Sequence, residues 1–200
     1  MLSRRQLGFT LIEMMVAVSV LIILAAVAMP NFSTWIRNSR VRSVTETLQS
    51  GIRLAQAEAQ RRTRTVAFFR TSSNDCSNPN TAVAAAAGSY WQVRVVADPL
   101  QTDDAAEAVQ CGVFNDVPSR VTMTTTTTVL CFGPDGRQTT VVNPANLGVN
   151  CAAATAQYDL APATTSAENR ALRVVVSLAG SIRLCDPNKA STAPDGCRSS

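Results

Sequence analysis

A chain of 200 residues with a net charge of +4 is long enough for one domain with an N-terminal extension. It has no histidine, which excludes His-dependent catalytic triads and His-ligated zinc or haem. Only 16% of residues are charged, below the roughly 25% usual for soluble domains, and much of that deficit lies in residues 7–30. Beyond residue 30, with Arg4, Arg5 and Glu13 set aside, 16 basic and 13 acidic side chains remain, a surplus too small to imply nucleic acid by itself.

The chain opens on a short basic leader, residues 1–8, with Arg4 and Arg5. Residues 9–29 then read FTLIEMMVAVSVLIILAAVAM, with Glu13 the only charge. At 1.5 Å rise per residue this run spans about 31 Å as a helix, close to the thickness of a hydrocarbon core. The arginines before it stay cytoplasmic by the positive-inside rule, so the remainder is expected in the periplasm. A carboxylate in hydrocarbon is costly and needs a partner, and a positive N-terminus four residues earlier would supply one.

Gly8-Phe9-Thr10-Leu11-Ile12-Glu13 matches the G-F-T-L-I-E motif of type IV pilins and type II secretion pseudopilins. The resemblance implies that a prepilin peptidase cuts after Gly8 and methylates the new N-terminal Phe9. It implies that Glu13 pairs with the N-terminal amine of a neighbouring pilin during assembly. Pro30 matches the proline that follows the family's apolar stretch. The expected organisation is then a cleaved leader over 1–8, a membrane or filament-core helix over 9–30, an amphipathic continuation over 31–64 and a periplasmic β-rich domain over 65–200.

In that continuation Val41, Val44, Leu48, Ile52, Ala55 and Ala59 recur at spacings of three and four, which predicts an amphipathic helix. Pro30 can kink the long helix. The helix ends near 62–65, where Arg61, Arg62 and Arg64 suit the negative end of its dipole. Strands rich in Val and Thr are then expected at 65–70, 90–97, 112–114, 120–132, 138–142, 171–178 and 181–185. Gly133-Pro134-Asp135-Gly136 and Ala179-Gly180 mark turns. The run 124–128 of threonines reads as a solvent-facing strand edge. Residues 73–88, 98–110 and 143–169 read as loops.

Six cysteines, Cys76, Cys111, Cys131, Cys151, Cys185 and Cys197, form no C-x-x-C pair, so a zinc ribbon or thioredoxin motif is not supported. An even number beyond a membrane segment fits disulfides in an oxidising periplasm. Cys185 and Cys197 bracket a polar loop and are the favoured pair; the other connectivities stay open.

One helix followed by about seven strands predicts an α+β domain, a long N-terminal helix packed on an antiparallel sheet or sandwich. The text IRLAQAEAQRRTRTVAF, the FGPDGR turn at 132–137 and the closing LRVVVSLAGSIRLC at 172–185 resemble the GspH/FimT group of minor pilins and pseudopilins. That resemblance implies a minor pilin of the FimT/FimU type helping to assemble a type IV pilus or its tip, with a GspH-type secretion pseudopilin as the alternative. A further alternative is a receptor pilin for double-stranded DNA in natural transformation. DNA-binding members carry a G-R-x-R stretch in the last hairpin; here Gly180-Ser181-Ile182-Arg183 keeps the second arginine and replaces the first by Ser181. Arg183, with Arg173, Lys189 and Arg198, is the candidate DNA contact, and three neutralised phosphates would give a salt slope of about −2.7. No nucleophile–base pair, carboxylate dyad or phosphate loop stands out, so no enzyme, metal or cofactor is expected.

Overall fold

The computed structural model describes residues 9–75, 81–98 and 103–198, without the side chains of 27–31. The chain divides into two units, one ending at Ile36 and the other running from Arg37. Helix α1, Leu11–Arg62, contributes to both and is continuous through Pro30. In the first unit its described apolar side chains are exposed, apart from the half-buried Ile36 at its end. Among the described residues no helix is long and apolar enough to cross a membrane. The described apolar side chains before the gap run over 11–26, short of the roughly 20 residues a span takes. The span expected over 9–30 is therefore described only in part.

In the second unit the expected helical face is the buried one. Val41, Leu48, Ile52, Ala55 and Ala59 are fully buried and Val44 nearly so. This stripe packs against two antiparallel four-stranded sheets, giving the α+β architecture. The first sheet has the order β3-β2-β1-β5, with β1 Val66–Thr71, β2 Tyr90–Val95, β3 Glu107–Val113 and β5 Val129–Phe132. The second has the order β4-β6-β7-β8, with β4 Val121–Thr125, β6 Ala156–Pro162, β7 Leu172–Val176 and β8 Ile182–Cys185.

Every residue of β1 is buried because both faces of the first sheet are covered. Val66 and Phe68 join the helix-facing core, whereas Ala67 and Phe69 join a second cluster with Val129, Cys131, Leu147 and Cys151. The second sheet is covered on one face only. Its strand β6 alternates, with Ala156, Tyr158, Leu160 and Pro162 buried and the residues between them partly open.

Eight strands form among the described residues, against about seven expected, and the differences have local causes. The single strand expected at 120–132 is two, one in each sheet. The Thr125 hydroxyl donates to the Thr127 carbonyl at 2.7 Å and accepts from the Thr127 N–H at 3.1 Å, so a threonine side chain replaces ladder bonds and turns the chain. Residues 138–142 form isolated bridges, Phe132 to Gln138 and Val141 to Cys151, in place of a strand. The strand expected at 112–114 begins earlier, as β3 from Glu107, inside the expected loop 98–110, and the expected loop 143–169 contains β6; their small residues carry the two-residue period weakly.

Cys185 is bonded to Cys197, and Cys131 to Cys151. Cys111 is also disulfide-bonded. Cys76 lies outside the described residues.

Candidate functional site

The N-terminal candidate is the start of α1. Gly8 lies outside the described residues, and Phe9 is exposed. The Thr10 hydroxyl accepts from the Glu13 backbone N–H at 3.3 Å, as an N-cap threonine does toward the third helical residue. Glu13 thus enters the first turn, where its carboxylate also suits the positive end of the helix dipole. Among the described residues it makes no ion pair, and around it Leu11, Ile12, Met14, Met15 and Val16 are all exposed. A carboxylate set among apolar side chains is costly to bury and needs a cation wherever it is buried.

The second candidate is the outer face of the second sheet. On β7 the core takes Val174 and Val176, so Arg173 and Val175 face the other way, and the register sets them opposite Cys185 and Arg183. The β7–β8 turn is closed by the Gly180 N–H on the Ser177 carbonyl at 2.9 Å. Beyond β8 the chain folds back: the Asp186 N–H donates to the Asp195 carbonyl at 2.7 Å, and the Cys185–Cys197 bond fastens the returning segment. These elements enclose an open cavity of about 520 Å³ lined by Val175, Ser181, Arg183, Leu184, Pro194 and Arg198, among others.

The four basic residues expected to contact DNA separate into two pairs. Arg173 is spent on Asp159 of β6, at 2.6 Å from Nε to Oδ1 and 3.1 Å from Nη2 to Oδ2, which holds its guanidinium above the usual range. Lys189 pairs with Asp195 and holds that carboxyl below its usual value. Arg183 and Arg198 are brought together in the cavity, with no carboxylate at ion-pair distance among the described residues. Position in the sequence suggests four equal charges; cross-strand register and a loop contact leave two.

Two buried arginines escaped the sequence reading. Arg70 of β1 donates through Nε and Nη2 to the Gly88 carbonyl and through Nη1 to the Met123 carbonyl at 3.3 Å. Arg94 of β2 lies 4.9 Å over the Phe69 ring and donates to Gln92, Ala82 and Ala145. Burial pushes the Arg70 guanidinium down and that of Arg94 down to about 10. Both bond mainly to neutral carbonyls and so tie strands and loops together, although the buried Arg94 Nε has no partner. Their signal in the sequence, an arginine inside a strand rich in apolar residues, is visible but does not name a partner. At the end of α1, Glu58 accepts from Arg61 and Arg62, which hold its carboxyl at about 2. Arg62 also reaches Glu107 of β3 at 2.6 Å. No group of three His, Cys, Asp or Glu side chains able to hold a metal occurs among the described residues.

Residues 3–29 match the prokaryotic N-terminal methylation motif, and residues 44–180 match the family of type II transport protein GspH. Comparison with curated proteins returns no match. Among solved structures, the type IV minor pilin FimU of Pseudomonas aeruginosa strain PAO1 aligns in two crystal forms. In space group P21 it is 14% identical with a TM-score of 0.48, covering 82% of this chain and 98% of FimU. In P65 the identity is 15% and the TM-score 0.44, with 78% and 98% covered. The GspH match takes in most of the buried helix face, strands β1 to β7 and the turn at Gly180, well over half of the sequence, and the chain therefore belongs to the family of type II transport protein GspH, pilin-like proteins that carry an N-terminal methylation motif.

Proposed function

We propose that this chain is a minor pilin of a type IV pilus, held in the bacterial inner membrane by residues 9–30 and later drawn into a filament with other pilins. Its domain then lies in the periplasm, where an oxidising compartment suits the disulfides. A prepilin peptidase is the partner that cuts behind Gly8 and methylates Phe9. The supporting observation is the start of α1, exposed and apolar around a single unpaired carboxylate. In a filament core, neighbouring helices replace lipid, and an N-terminal amine next to Glu13 removes an otherwise expensive unpaired charge.

Glu13→Ala tests this reading. The variant is expected to insert and be cleaved to mature size yet to be depleted from sheared filaments. Normal incorporation would refute the pairing. A secretion pseudopilus is the alternative, and an in-frame deletion separates the two: loss of surface pili with exoprotein secretion intact supports the pilus, and the reverse pattern supports secretion. Double-stranded DNA is the poorer fit, because of the four candidate residues only Arg183 and Arg198 are without an ion pair among the described residues. Two phosphate contacts would give a salt slope of about −1.8, less than the three-contact value expected from sequence.

A further inference from the structure

We infer that the open edge of β8, with the cavity beside it, is a docking site for an extended acidic segment of a neighbouring pilin subunit. This rests on the filament reading above. The backbone carries the first part of the argument. The Ser177 N–H donates to the Ser181 carbonyl, which marks 177 and 181 as a hydrogen-bonded pair. By the antiparallel alternation, Arg183 and Cys185 then bond to Val175 and Arg173, and the N–H and C=O groups of Ile182 and Leu184 point away from the sheet. β8 is the last strand of its sheet, and among the described residues no backbone group bonds to those of Ile182 and Leu184. One step along the same edge, at Asp186, the chain's own Asp195–Gly196 segment already pairs with it. The edge therefore accepts extended chain, and two residues of it are left vacant.

The side chains carry the second part and define the occupant. Leu184 is 45% exposed, so an incoming strand would cover it with an apolar residue. On the opposite face of β8, Arg183 and Arg198 stand without a carboxylate partner in a cavity walled by Val175, Leu184 and Pro194. A strand laid beside β8 alternates its side chains between those two faces. The matching sequence alternates apolar and acidic residues.

The probe is a capped heptapeptide of alternating Glu and Val, titrated by fluorescence anisotropy against the full chain in detergent micelles. A Lys–Val peptide, a Glu–Val peptide N-methylated at alternate positions and a 20-base-pair duplex are run beside it. The Glu–Val peptide is expected to bind, with Arg183→Ala weakening it about tenfold, the size of one lost charge-assisted hydrogen bond. Leu184→Asp should abolish binding while leaving the unfolding midpoint close to that of the parent, because the side chain is already half in water. Equal binding of the Lys–Val peptide would overturn the proposal, as would indifference to N-methylation, to Arg183→Ala or to Leu184→Asp. Binding of the duplex without the peptide would overturn it in favour of a polyanion site. Filament incorporation of Glu13→Ala is read in a separate assay, so a failure of the filament reading is distinguishable from a failure of this one.

Discussion

Gly180 offers a test of how the second sheet is fixed to α1. It sits at the β7–β8 turn with φ +83°, and the Gln56 amide nitrogen donates to its carbonyl at 3.1 Å and to the Gly136 carbonyl at 2.7 Å. A Cβ at position 180 would collide with the Gly136 carbonyl oxygen and the Gln56 amide. For Gly180→Ala the left-handed backbone costs about 1–2 kcal/mol. Displacing the Gln56 amide loses two hydrogen bonds of about 1 kcal/mol each. The smaller entropy of the unfolded chain returns about 0.4–1 kcal/mol. The net loss is about 2–3 kcal/mol, or roughly 5–10 °C in melting temperature for a domain of this size. Urea titration of the full chain in micelles reads it through Trp91, which is 6% exposed and shifts its emission on unfolding. The variant Gln56→Ala removes the same two bonds, so the double variant should lose about 1–2 kcal/mol less than the sum of the singles. A loss below about 1 kcal/mol for Gly180→Ala, or full additivity with Gln56→Ala, would refute this account of the turn.

The Cys185–Cys197 bond closes a loop with a sequence separation of 12 residues, worth about 2.8 kcal/mol in the chain-entropy picture. Cys185→Ser with Cys197→Ser should lower the unfolding free energy read by urea titration by that amount and free residues 186–196 to rapid proteolysis; unchanged cleavage would count against the loop's dependence on the bond. Glu58 is held at about 2, below its unfolded value of 4.5, first by its hydrogen bond from Arg61 and then by that from Arg62. Its contribution is therefore complete above about pH 4.5 and disappears as the pH falls toward 2. Because these bonds lie at the surface, water trims the effect to about 1 kcal/mol. Glu58→Gln should flatten the stability profile between those two values, and a profile parallel to the parent's would show the pairing to be idle.

Much of the domain was legible because its signals are strong at short range. The spacing of Val41, Val44, Leu48, Ile52, Ala55 and Ala59 locates the buried face of α1, to which the structure adds Thr45 and Gly51. The last hairpin was legible from two apolar runs around Ala179-Gly180, and the observed strands Leu172–Val176 and Ile182–Cys185 fall inside the expected ranges. Strand β6 was not, because Ala156 and Pro162 carry little hydrophobic contrast and Tyr158 and Leu160 alone do not establish a period. The break inside 120–132 depends on threonine hydroxyls bonding their own backbone, which an uninterrupted β-branched run conceals. For the candidate site, the sequence locates Arg183 but cannot see that Asp159 lies across from Arg173, fourteen residues away, or that Asp195 takes Lys189. Ion pairing between strands is a property of register, and register is set by the whole sheet.

The same register explains how far each sheet edge is covered. Each sheet exposes two edge strands, a liability that folded chains manage by covering, bending or charging them. On β5, residues 138–139 lie alongside: Gln138 bridges Phe132, and the Thr139 N–H donates to the Cys131 carbonyl at 2.9 Å. On β3, the register shifts opposite Val93 and Arg94, and Glu107 brings a charge tied to Arg62. On β4, the alternation sends the Met123 carbonyl outward, and Arg70 donates to it from the other sheet. A buried arginine without a carboxylate thus acquires a reason: it closes an edge that no strand covers. On β8 the outward groups of Ile182 and Leu184 stay open next to two arginines without carboxylate partners. The open groups of β8 lie beside unmatched charge, and that conjunction, more than openness alone, is the ground for the proposed docking edge.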